Sequence, residues 1–164
     1  MNSALCGTHI PVLVKLLNHL NKPVLELGIG WSSTPLLHWV CQEKNLKLIS
    51  IESDGEWIKN FRTFRSKNHS IFQTDENFTL NFDLPEDFSL VFIDHKPARK
   101  RRSSAILFKD RADFIVLHDS ELADHKAYKY TPIYDLFKYK FEYKGVGEPY
   151  TMVLSNKINL KEIF

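Results

Sequence analysis

Pro23-Val-Leu-Glu-Leu-Gly-Ile-Gly-Trp-Ser-Ser-Thr34 is the stretch on which the fold turns. Pro23 to Leu27 is a short apolar run that stops at Gly28, which predicts a buried strand ending in a sharp turn. Glycines at 28 and 30 let the backbone turn tightly and approach a ligand closely. Thr34 to Glu43 predicts a helix, with Pro35 tolerated in its first turn. The amides at the start of that helix point at the same place as the turn, a ready site for a negatively charged group.

Outward from this unit the pattern repeats. Upstream, Ile10, Val12, Leu13, Leu16, Leu17 and Leu20 recur at helical spacing, with Thr8 as the expected N-cap. Downstream, Leu46 to Ile51 predicts a second strand ending in Glu52, and Glu56 to Lys67 a helix with Trp57, Ile58, Phe61 and Phe64 on one face. Ser70 to Gln73 reads as a short third strand. Phe88 to Ile93 and Phe114 to Leu117 read as buried strands, ending in Asp94-His95 and His118-Asp119. A helix is expected from Arg101 to Lys109 and another from Tyr128 to Phe137. The segments Tyr139 to Lys144 and Tyr150 to Leu154 flank a Gly145-to-Pro149 turn and predict an antiparallel hairpin.

Short buried strands alternating with helices imply an α/β domain with a doubly wound, mostly parallel sheet of about seven strands and helices on both faces. The terminal hairpin adds an antiparallel strand. Residues 1–164 read as a single domain, with 1–22 as an N-terminal helix and a lid over the site. In such sheets ligands bind beyond the C-terminal strand ends, which directs attention to the residues after Leu27, Ile51, Gln73, Ile93 and Leu117.

Those residues carry chemistry. Glu26 could accept from an ammonium group, and Gly28, Gly30 and Ser32 line the turn. Glu52 is placed to take two ribose hydroxyls in a bidentate pair of hydrogen bonds, with Ser53 beside it. Trp57 could cover an adenine and Asp75 could meet its amino group. Asp94 and Asp119 end neighbouring strands, which lie ~4.8 Å apart, so their carboxylates could share one hard cation such as Mg²⁺. His95 and His118 flank the same mouth, and either could accept a proton from a substrate hydroxyl or amine.

Val24-Leu-Glu-Leu-Gly-Ile-Gly30 resembles the first motif of the Rossmann-like S-adenosylmethionine-dependent methyltransferases, an acidic residue followed by a Gly-x-Gly turn. Glu52 matches the acidic residue that family uses for the ribose hydroxyls. Phe92-Ile-Asp-His95 and Leu117-His-Asp119 look most like the small catechol-type O-methyltransferases. The resemblance implies S-adenosylmethionine as cofactor, methyl transfer to a small molecule as activity, and Mg²⁺ on Asp94 and Asp119. Ser120 stands where those enzymes place Asn. A dinucleotide site would prefer a third glycine at position 33, which is Ser33, so a nucleotide-dependent oxidoreductase is disfavoured. A binding module or partner subunit that keeps the fold without turnover is the remaining alternative.

Composition narrows the partners. Formal net charge is +2, from 22 Lys and Arg against 20 Asp and Glu, so bulk charge does not predict nucleic-acid binding. The basic run Lys96-Pro-Ala-Arg-Lys-Arg-Arg102 begins at the expected mouth and would suit an anionic group on the acceptor. Cys6 and Cys41 fit no metal or disulfide spacing and read as reduced thiols of a cytoplasmic protein. No apolar stretch is long enough to span a bilayer. Little chain remains for a substrate domain, so the acceptor should be small or exposed, or covered by a second subunit of a homo-oligomer.

Overall fold

A computed structural model of the chain describes residues 7–145 and 147–164. Its elements are α1 (Ile10–Leu16), β1 (Val24–Leu27), α2 (Thr34–Glu43), β2 (Leu48–Glu52), α3 (Gly55–Ile58), β3 (His69–Gln73), β4 (Phe88–Ile93), α4 (Arg101–Phe108), β5 (Ala112–His118), α5 (Thr131–Tyr134), β6 (Tyr139–Tyr143) and β7 (Thr151–Ser155). The strands form one seven-stranded sheet in the order β3-β2-β1-β4-β5-β7-β6. β7 runs antiparallel to both β5 and β6, while the neighbours from β3 to β5 are parallel.

The register sets the site. Leu27 is level with Ile51 and with Ile93, and Ile93 with Leu117. The next residue of each strand, Gly28, Glu52, Asp94 and His118, therefore lies in one row along the sheet's C-terminal edge. The strand order reverses between β1 and β4, the switch point at which a doubly wound sheet opens its ligand crevice.

Strand side chains alternate between the two faces. Val24, Leu48, Leu90, Phe92, Phe114 and Val116 pack with Val12, Leu13 and Leu16 of α1 and Leu37 and Cys41 of α2. Leu25, Leu27, Val91, Ile93, Ile115 and Leu117 pack with Ala105 and Phe108 of α4 and Ile133 of α5. Both faces are covered, which is why β1, β2, β4 and β5 read as unbroken apolar runs.

Several helices are shorter than their periodicity suggests. The expected helix over Glu56–Lys67 is one α-turn, capped by Asp54 accepting from the amides of Glu56 and Trp57, and then a 3-10 segment from Lys59 to Phe64. The expected Tyr128–Phe137 helix shrinks to α5, because Lys129 adopts a left-handed backbone conformation with φ 49°. Thr8 is not the N-cap of α1; His9 holds that position, and the Thr8 hydroxyl donates to the Pro149 carbonyl at 2.6 Å instead. The Cys41 thiol is buried, which pushes its pKa up to about 12. Cys6 and the rest of residues 1–6, the start of the expected lid segment, lie outside the described residues. No described helix is long and apolar enough to cross a membrane.

Candidate functional site

The two glycines of the turn serve different ends. Gly28 has φ +91°, and a Cβ there would stand 2.6 Å from the His95 nitrogen and 2.7 Å from the Asp94 carbonyl carbon. Its bare backbone lets β1 and the end of β4 close on each other. A Cβ on Gly30 would meet only the Ser33 hydroxyl, at 3.8 Å. Backbone is thus open to a ligand at Gly30. Among the described residues none accepts from the amides of Trp31, Ser32 or Ser33, which lead into α2.

Glu26 departs from expectation. On β1 it shares the face of Val24, beneath the start of α2, and it is fully buried. One carboxylate oxygen accepts from Ser33 (2.6 Å) and Thr34 (2.9 Å), the other from Ser50 (2.6 Å). Ser50 Oγ lies 2.9 Å from His69 Nε2, and His69 Nδ1 lies 3.0 Å from His38 Nδ1. Glu26 therefore shapes the turn from below and has no surface for a cofactor's ammonium group. Burial pushes its carboxyl up to about 7, against the hydrogen bonds from its three hydroxyls.

Glu52 stands beside the turn at the end of β2. Its carboxylate accepts from the amides of Ile29 (3.2 Å), Ser53 (2.6 Å) and Asp54 (2.9 Å), and from the Ser53 hydroxyl (3.2 Å). The Trp57 indole donates to the Ile29 carbonyl at 2.9 Å, which anchors it next to Glu52. Trp31, not anticipated from the sequence, is exposed in the turn, tilted over Phe61 at 4.5 Å between centroids and edge-on to Trp57 at 6.5 Å. An exposed tryptophan directly after Gly30 was the available signal. Asp75 follows β3, but both its oxygens are taken by Thr79 of its own loop, at 2.8 and 2.7 Å.

At the ends of β4 and β5, Asp94, His118 and Asp119 come together as expected, but around a guanidinium. Arg101, buried at the start of α4, donates to Asp119 Oδ2 (2.6 Å) and forms an ion pair with Asp94 Oδ1 (2.9 Å). It also donates to the carbonyls of His95 (2.7 Å), Asp94 (3.1 Å) and His118 (3.5 Å). These hydrogen bonds engage all three of its nitrogens. Arg101 thus lies inside the cluster, with its hydrogen bonds turned to protein oxygens and its charge between the two carboxylates that were expected to share a cation.

His118 Nδ1 lies 3.4 Å from Asp94 Oδ1 and 3.3 Å from Asp119 Oδ1, and its Nε2 lies 3.2 Å from the Thr8 hydroxyl. Thr8 spends its proton on Pro149, so Nε2 donates to it, while Nδ1 faces the two carboxylates. Burial opposes a charge on the ring, but Asp119 and Asp94 overcome it and raise the pKa to about 9. Burial likewise works against ionisation of Asp94 and Asp119, yet His118 and Arg101 hold both carboxyls below the usual range. The two carboxylates thus favour the protonated form of the His118 ring.

His95 does not join this cluster. It follows Ile93 and so points to the α4 face, where it stacks on Phe78 at 3.7 Å and its Nε2 lies 3.0 Å from the Ser104 hydroxyl. It is 1% exposed, and burial lowers its pKa to about 3. In its place stands His9, which the sequence reading passed over. Its ring packs on Phe92 (4.7 Å) and edge-on to His118 (4.8 Å).

No protein-family model matches the chain, and no curated protein matches it in sequence. Solved structures do match. The O-methyltransferase TomG from Streptomyces achromogenes, solved in complex with SAM, aligns with a TM-score of 0.67 at 14% identity, over 94% of this chain and 81% of that one. An O-methyltransferase from Bacillus cereus in complex with SAH gives 0.64 at 14%, over 91% and 80%. Cofactor-bound Rv0187 from MTB gives 0.68 at 17%, over 96% and 83%.

The chain has the Rossmann-like methyltransferase fold.

That fold includes the sheet described above, with its single antiparallel strand β7. Identities of this size carry the likeness no further than the fold.

Proposed function

We propose that the protein binds S-adenosylmethionine over Gly30 and transfers its methyl group to a small acceptor at Asp94, His118 and Asp119. The observation that carries this reading is the open backbone at Gly30 beside Glu52, at the switch point of a methyltransferase fold. The amides of Trp31, Ser32 and Ser33 suit the cofactor's carboxylate. Glu52 suits the ribose hydroxyls, and Trp57 and Trp31 offer aromatic faces for the adenine.

The sulfonium makes the methyl group electrophilic without help from the protein. What the chain's own residues contribute is position and desolvation. Asp94, whose side chain is 30% exposed, is the cluster member that reaches the mouth. It accepts a hydrogen bond from the acceptor's O–H or N–H and so aims the lone pair. Arg101 and His118 hold that carboxylate ionised and in place. An anionic group on the acceptor would meet the exposed Lys96 and Arg99 rather than Arg101.

Thermal unfolding with S-adenosylhomocysteine or NAD tests the cofactor. A ligand at ~100 times its Kd stabilises the folded state by about 2.7 kcal/mol. The sulfur nucleotide should raise Tm and NAD should not; the reverse pattern would overturn the assignment.

A further inference from the structure

The cluster around His118 holds one group that neither the fold nor the hydrogen bonds account for. His9 is 2% exposed, and neither of its ring nitrogens has a partner among the described residues. An imidazole buried with both nitrogens idle forfeits its hydration without compensation. It lies edge-on to the ring of His118, 4.8 Å between centroids. Something absent from the protein's own side chains should satisfy it.

We propose that His9, Asp94 and His118 form a binding site for a divalent transition-metal cation of the Zn²⁺ type. One ligand atom from each residue lies within 4.8 Å of the others. The edge from His118 Nδ1 to Asp94 Oδ1 is 3.4 Å. Metal–ligand bonds of about 2.0–2.1 Å in tetrahedral geometry place ligand atoms ~3.3 Å apart, so this edge is already at metal-binding length. The edges to His9, within 4.8 Å, would shorten as a cation is bound.

The surroundings fix the right tautomer. Thr8 donates to Pro149 and accepts from His118 Nε2–H, leaving Nδ1 as the nitrogen that faces Asp94. An outer partner that holds the far N–H of a ligating histidine is the usual device for orienting it. In the metal-free protein a proton takes the cation's place on Nδ1. Arg101 pairs with the same oxygen, Asp94 Oδ1, at 2.9 Å and holds the carboxylate beside His118.

Two imidazoles and one carboxylate select the metal. Hard ions such as Mg²⁺ favour oxygen donors, whereas imidazole suits Zn²⁺, Co²⁺ and Ni²⁺. The site differs from the Asp94–Asp119 pair expected from sequence: Asp119, hydrogen-bonded to Arg101 and Tyr128, is not among the clustered ligand atoms. Three protein ligands would leave one position of a tetrahedral site for a further ligand. A hydroxyl bound there would be acidified, so the site favours an oxygen acceptor.

The inference stands on the cluster alone and does not require methyl transfer. Protein stripped with a chelator is titrated with Co²⁺ and followed by its visible d–d bands, then with Zn²⁺ by calorimetry in excess Mg²⁺. We expect one equivalent bound per chain, low-coordinate Co²⁺ bands, and no competition from Mg²⁺. His9→Ala and the milder His9→Gln should weaken Zn²⁺ more than about 100-fold, since outer-shell changes alone cost 10–100-fold. His125→Ala, at an exposed histidine, should leave binding unchanged. Circular dichroism confirms that each variant folds. Binding that survives in folded His9→Gln, an octahedral Co²⁺ spectrum, or full competition by Mg²⁺ would each overturn the proposal. So would wild-type protein that takes up no Zn²⁺, a result that leaves the cofactor reading intact.

Discussion

A Cβ on residue 28 would sit 2.6 Å from the backbone nitrogen of His95, so glycine is what lets β1 and β4 close on one another. Gly28→Ala should therefore destabilise the whole domain. Overpacking costs about 1–3 kcal/mol, and a left-handed conformation a further ~1–2 kcal/mol for a residue with a Cβ. Gly30→Ala has room and should unfold at nearly the parent urea concentration while binding S-adenosylhomocysteine more weakly. Equal urea midpoints for the two variants would remove this division of labour.

Glu52 holds three backbone amides as well as the proposed ribose site. Glu52→Gln keeps a carbonyl acceptor but loses the charge. We expect S-adenosylhomocysteine binding to weaken by about 1–3 kcal/mol, the range for a hydrogen bond to a charged group. Calorimetry on the folded variant measures it, and unchanged affinity would remove the ribose role.

Arg101 and Arg102 are neighbours with opposite expectations. Removing Arg101 strands two partly buried carboxylates, and breaking such a pair costs roughly 3–5 kcal/mol. Part of each carboxylate is exposed, so Arg101→Met should fall near the lower end. Arg102 is only half-buried, and Arg102→Gln should stay within about 0.5 kcal/mol of the parent. Urea denaturation distinguishes them; a mild Arg101→Met would mean the carboxylates do not need the guanidinium.

The chain from Glu26 to His38 gives stability a pH dependence. Burial raises the Glu26 carboxyl from 4.5 to about 7. The folded protein then holds a proton the unfolded chain has lost, so this group's contribution falls as pH rises from about 4.5 to about 7. Glu26→Gln cannot ionise and should gain on the parent across that window. Burial, with His38 adding to it, lowers His69 from 6.5 to about 4. Its contribution is complete above pH 6.5 and is lost as pH falls toward 4. His69→Gln should flatten the acid limb. Parallel stability–pH curves for parent and Glu26→Gln would show that the buried carboxylate ionises at no cost.

Much of this protein was legible along the chain. The apolar run into Gly28, the helix after Thr34 and the acidic strand end at Glu52 depend on local periodicity and turn chemistry, which sequence carries directly. Even the exclusion of His95 was written there, because strand alternation puts it with Ile93 on the α4 face while Asp94 follows Phe92 to the α1 face. What only the tertiary structure decided were long-range electrostatic pairings. Arg101 reads as one charge in a solvated run, yet folding buries it between two strand ends, where only paired charge is tolerated. Thr8 reads as a helix cap until Pro149 and His118, more than a hundred residues away, claim its hydroxyl. His9 enters the cluster the same way: its partners lie on β4 and β5, and no local pattern marks a contact that exists only once those strands are laid side by side.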